Sequence, residues 1–150
     1  MPAASAPLRT DDRLFSFRER FALLRALFRN EITARRIILS PLERLLPKPN
    51  FTFSTLAALR QRCGQKPVVI VGGDQAQKLG SWHRSAELIG EYEFLVFARA
   101  GSVAENIPNL RARFVEDFAE NISATALRNE LTALPASERF QRALALGNPA

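Results

Sequence analysis

A chain of 150 residues fits one domain and can bury most of its surface, and 47% apolar with 24% charged residues is the balance of an ordinary globular protein. No apolar run approaches membrane-spanning length, the start Met-Pro-Ala-Ala-Ser-Ala-Pro lacks a secretory core, and a single cysteine, Cys63, excludes an internal disulfide, so a reducing, cytoplasmic setting is expected. The net charge is +6, and 18 of the 21 cations are arginines, whose planar fork suits phosphate. They are scattered rather than blocked, so most are expected on solvated helix faces.

Residues 1–13 show no periodicity and are expected as loop. Ser16 and Glu19 have capping-box spacing, and Phe17, Phe21, Leu24 and Phe28 follow at helical intervals, so a helix is predicted to about Asn30. Arg36–Ser40 is predicted as a short buried strand, and the proline-rich stretch 41–50 as loop. Thr52 or Ser54 caps a predicted helix through Cys63 that Gly64 closes. Val68–Val71, bounded by Pro67 and Gly72, has the composition of a strand buried on both faces. Gly72 and Gly73 permit a sharp turn or a close approach, and Asp74 arrives at the carboxyl end, where open α/β sheets bind ligands. A helix follows over 81–89, ended by Gly90, and then a strand over 93–99. Next come loop over 100–110, a strand over 113–116, and helices over 123–134 and 137–146. Alternation of strands with helices predicts an α/β fold with a parallel sheet and right-handed crossovers, in one domain.

Five motifs occur in a set order: Pro49-Asn-Phe-Thr-Phe-Ser-Thr-Leu56, Gly72-Gly-Asp74, Trp82-His83, Phe94-Leu-Val-Phe-Ala-Arg99 and Ile122-Ser-Ala-Thr-Ala-Leu-Arg128. That order resembles the bacterial nicotinate mononucleotide adenylyltransferases, a nucleotidyltransferase family with a Rossmann-like fold, over nearly the whole chain. The resemblance implies adenylyl transfer from ATP to nicotinate mononucleotide, usually with Mg²⁺, giving deamido-NAD and pyrophosphate in NAD biosynthesis. The family opens with a strand and a Gly-x-Phe-x-Pro-x-His-x-Gly-His loop that holds the ATP phosphates. No such motif is present here, and the single histidine is His83. Ala6-Pro-Leu-Arg9 looks like a segment following the family's second strand. An N-terminally truncated domain is therefore expected, without the first, central strand and with unpaired edges and an apolar seam beside it. A degenerate copy or one half of a split protein are the other readings.

The site residues the resemblance implies fall in two groups. Ser123 and Thr125, opening a helix, and Arg128, a forked donor, would bind ATP phosphate, with Gly72 and Asp74 also on the ATP side. Asp74 would accept from a ribose hydroxyl. Trp82 would stack on the nicotinate ring, with His83 and Thr52 lining the same pocket, and Arg9 would reach the substrate phosphate. Arg99 is a weaker phosphate candidate. Each has a plainer role: helix caps for Ser123 and Asp74, a surface position for Arg128, a core anchor for Trp82. No residue is expected to bind a resident metal. The partners implied are small-molecule nucleotides, with no membrane, and a homo-oligomer is left open. The alternatives are an adenylyl- or cytidylyltransferase with another acceptor, such as phosphopantetheine or nicotinamide mononucleotide, and a non-catalytic nucleotide-binding remnant. Nucleic-acid binding through the +6 charge is disfavoured because the sequence shows no basic stripe with aromatic stacking positions.

Overall fold

The computed structural model describes residues 14–97, 107–115 and 124–147. The chain divides into two compact units, Met1–Asn50 with Ile122–Ala150, and Phe51–Asn121.

In the first unit, helix α1 (Phe17–Leu27) starts on the expected capping box. Ser16 Oγ accepts from the Glu19 N–H at 3.3 Å, and the Glu19 carboxylate accepts from the Ser16 N–H at 2.7 Å. These bonds hold the Glu19 carboxyl below its ordinary 4.5. Leu23 is the buried residue of α1, so the apolar stripe is rotated from the predicted one, and Phe28 is 38% exposed. The helix stops short of Asn30. Phe28 caps it, and α2 (Arg29–Thr33) continues beyond a one-residue joint.

Residues 37–40 do not form the predicted strand. Arg35 takes up a left-handed conformation (φ 57°), and Arg36 N–H closes back on Glu31 O at 2.8 Å. The chain beyond it finds no ladder among the described residues, and Ile38 is 84% exposed. The apolar composition of 37–39 marked a strand, but a strand needs a neighbour. The proline-rich stretch is likewise not all loop. Ser40 Oγ accepts from Leu42 N–H, Pro41 stands where its missing N–H is harmless, and Leu42–Leu45 close one turn, α3. Asn50 then ties the segment down, its Nδ2 donating to Glu43 O at 2.9 Å. Helices α7 (Ala124–Ala133) and α8 (Ala136–Gly147) complete this unit, and α1 packs on α8 so closely that a Cβ at Gly147 would lie 2.6 Å from Leu27 Cδ2.

The second unit is a three-stranded parallel sheet, β1 (Val68–Gly72), β2 (Glu93–Phe97) and β3 (Ala112–Val115), in that order. The register pairs Ile70 with Leu95 and Leu95 with Arg113. Helix α4 (Thr52–Cys63) precedes it and ends, as expected, at Gly64 in the left-handed conformation, φ +70°. The Val71, Phe94 and Val96 face is the core side, closed by Phe53, Leu56, Leu79, Leu88 and Tyr92. The other face is bare along β1, where Val68 is 54% and Ile70 69% exposed, while Leu95 and Phe97 of β2 are half-buried. The expectation of a strand buried on both faces therefore fails. A run of valines signals burial, but here only Val69 and Val71 point at packed neighbours, and β1 pairs on one side alone among the described residues. Between β1 and β2, the single helix predicted over 81–89 is replaced by a one-turn helix α5 (Gly73–Ala76), a 3₁₀ turn (Leu79–Ser81) and α6 (Ser85–Glu91). Gly90 lies inside α6, not at its end. Among the described residues no helix is long and apolar enough to cross a membrane.

Candidate nucleotide-binding site

At the carboxyl end of β1 the backbone turns straight into α5. Gly72 is the N-cap residue with extended angles, and no side chain caps the helix. Asp74 therefore does not act as the cap. Its Oδ2 accepts from Gln75 Nε2 at 3.1 Å, while Oδ1 folds back until it lies 2.8 Å from the place a Cβ on Gly72 would occupy. Glycine is needed at 72 for that close approach, and the carboxylate stays exposed at the sheet's carboxyl edge, where open α/β sheets commonly bind ligands.

The segment after the 3₁₀ turn meets the start of α4. Trp82 is half-buried and packs against the core cluster, so its ring has an anchoring role whatever else it does. His83 is exposed and stacks on Phe51, ring centroids 4.1 Å apart and 24° from parallel. Phe51 is the N-cap of α4, and Thr52 is its first helical residue, half-buried. Thr52 thus begins the helix rather than capping it. One residue further on, Arg84 lies over the Phe53 ring at 3.9 Å, and its fork grips Glu87, with Nε to Oε1 at 2.6 Å. This pairing raises the Arg84 pKa and lowers that of Glu87. Arg84 reaches this position through a left-handed backbone (φ 55°) at the N-cap of α6. The two segments interlock residue by residue: Phe51 with His83, and Phe53 with Arg84.

Phe51 and Arg84 join the candidate site through these contacts. The signal for them was present, since Phe51 and Phe53 flank Thr52 and Arg84 follows Trp82-His83 directly. Thr125 is exposed and Arg128 half-buried, both on α7 one turn apart, and Arg128 forms no ion pair among the described residues. They belong to the first unit, whereas Thr52, Gly72, Asp74, Trp82 and His83 belong to the second. Arg9, Arg99 and Ser123 lie outside the described residues.

A parallel sheet flanked by helices, with a glycine turn and a carboxylate at the strand's carboxyl end, defines an α/β protein of Rossmann-like fold. Over 135 residues the chain is 30% identical to a probable nicotinate-nucleotide adenylyltransferase of Opitutus terrae, covering 87% of this chain and 68% of that protein. Proteins of the same name from Porphyromonas gingivalis and Exiguobacterium sibiricum are 26% and 31% identical, and the chain spans 66% and 67% of their lengths. The chain belongs to the nicotinate-nucleotide adenylyltransferase family of nucleotidyltransferases. It also shares the fold of a solved Plasmodium falciparum nicotinic acid mononucleotide adenylyltransferase complexed with NaAD, with a TM-score of 0.65 at 17% identity over 89% of this chain and 70% of that one. No family model matches the chain.

Proposed function

We propose that this chain serves adenylyl transfer from ATP to nicotinate mononucleotide, in the cytoplasm. A phosphate oxygen of the mononucleotide attacks the α-phosphorus of ATP, the bond to the bridging oxygen of the β-phosphate breaks, and pyrophosphate leaves with that oxygen. The product is deamido-NAD. No covalent enzyme intermediate is needed, so the work is alignment and charge neutralisation.

The observation that carries this reading is the interlocked pair of segments Phe51–Phe53 and Trp82–Arg84, in the same unit as the Asp74 turn. The stack on Phe51 covers one face of His83, leaving the other for a planar pyridine ring. Thr52 and Trp82 belong to the same two segments. Asp74, with Oδ1 uncommitted by the Gln75 bond, accepts from a ribose hydroxyl beside Gly72. Thr125 and Arg128 take phosphate oxygens on α7, with Ser123 and Arg9 in the same service. Among the described residues no group of three or more His, Cys, Asp or Glu is placed to hold a metal ion. Mg²⁺ enters with the triphosphate of ATP, as part of the substrate.

The test is turnover: ATP offered with nicotinate mononucleotide, nicotinamide mononucleotide or phosphopantetheine in parallel, with pyrophosphate release followed. Consumption of nicotinate mononucleotide first supports the reading, and turnover of phosphopantetheine alone refutes it. Nucleotide binding without turnover of any acceptor identifies a non-catalytic nucleotide-binding protein.

A further inference from the structure

We propose that the arginine-rimmed groove along α1 is a docking surface for an acidic, apolar-bearing peptide segment of a partner protein. Residues 14–50 carry eight Lys/Arg against three Glu, so this stretch holds most of the chain's positive excess. A groove of about 450 Å³ runs between α1 and α3, with Phe17, Phe21 and Pro41 in its floor and Arg18, Arg25 and Arg44 on its rim. The Phe17 and Phe21 rings stack at 5.9 Å, and the Arg44 guanidinium lies 5.7 Å from the Phe17 centroid.

None of the three rim arginines has an ion-pair partner among the described residues, so their forks are available to an acidic partner. Arg18 and Arg25 are seven apart on one helix, two turns or about 10 Å along the same face. Past Phe21 and Arg25 the depression continues over Ile32, Ile37 and Leu39, with Arg35 at its edge. An apolar floor with a cationic rim complements carboxylates set among apolar side chains.

Single-stranded nucleic acid would also answer the charge, but it needs open flat rings. Here only two aromatic rings are offered, one of them already faced by two guanidinium groups, and the rest of the floor is aliphatic. The geometry favours the peptide.

The test is fluorescence anisotropy of the whole chain with a labelled glutamate–tyrosine copolymer, polyglutamate and an oligothymidylate, at low salt. Saturable binding of the copolymer is expected, several-fold tighter than polyglutamate because the floor takes the rings. The Arg18→Ala, Arg25→Ala and Arg44→Ala triple variant should bind the copolymer about tenfold more weakly, summing three surface ion pairs. Circular dichroism of that variant, together with Phe21→Leu, which keeps the floor apolar while removing a ring, separates lost docking from lost fold. Equal binding by the well-folded triple variant, equal affinity for polyglutamate, or preference for the oligothymidylate would overturn the proposal.

Discussion

The imidazole of His83 lies against the ring of Phe51 at 4.1 Å and 24°, joining the 3₁₀–α6 connection to the first turn of α4. Thirty-two residues of chain separate the two rings, so the stack is a tertiary event that sets the spacing of Thr52 from Trp82. A ring pair of this kind contributes about 1 kcal/mol beyond its buried area. His83→Ala should therefore weaken nicotinate mononucleotide binding about fivefold or more, and His83→Phe, which restores the stack, should recover most of that loss. Calorimetric titration of both variants reads this directly.

Gly72 and Asp74 form the second such relationship. Adding a methyl group at Gly72 displaces a flexible carboxylate rather than the backbone, because Asp74 Oδ1 is the atom it meets. Gly72→Ala is expected to change thermal stability little and yet to weaken nucleotide binding in the same direction as Asp74→Ala. The double variant should be no weaker than Asp74→Ala alone, since one carboxylate carries both effects. Additive losses would show that Gly72 acts independently of Asp74.

Acid should loosen α1 at its start. Glu19 has its folded pKa lowered by the Ser16 hydrogen bonds, so its contribution is present above the ordinary 4.5 and lost as pH falls through the lower folded value. Ser16→Ala removes the cap at a cost of about 1 kcal/mol near neutrality. Chemical denaturation at pH 7 and pH 3 should find the gap between wild type and Ser16→Ala smaller in acid.

The two faces of the sheet predict opposite responses to substitution. Leu88 is fully buried, and Leu88→Ala should cost about 3 kcal/mol through lost transfer energy and a cavity. Ile70, 69% exposed on the bare face, should tolerate Ile70→Thr within about 0.5 kcal/mol and aggregate less, as read by melting temperature and light scattering.

What could be read in the sequence was local. The Ser16/Glu19 box, the Gly64 stop and the strands predicted from 68, 93 and 113 each depend on a few neighbouring residues, and each is present, the last one residue earlier as Ala112–Val115. What failed depended on distant company. Ile37–Leu39 and Val68–Val71 have strand composition, but whether such a run is paired or covered is decided by segments elsewhere in the chain. Gly90 looked like a helix stop because glycine commonly is one, yet α6 runs through it to Glu91. Among the candidate site residues, Asp74 and Trp82 stand out in the sequence by type, whereas Phe51 and Arg84 do not. Their importance lies in contacts across more than thirty residues, which no spacing rule records.

The most direct test of the central claim is a titration of deamido-NAD into the chain and into Asp74→Ala and Trp82→Ala. The account predicts saturable binding to the wild type and affinity at least tenfold weaker in each variant, with their melting behaviour close to wild type for Asp74→Ala. Undiminished binding by a folded Asp74→Ala protein would contradict it, because the carboxylate at the end of β1 would then have no part in holding the nucleotide.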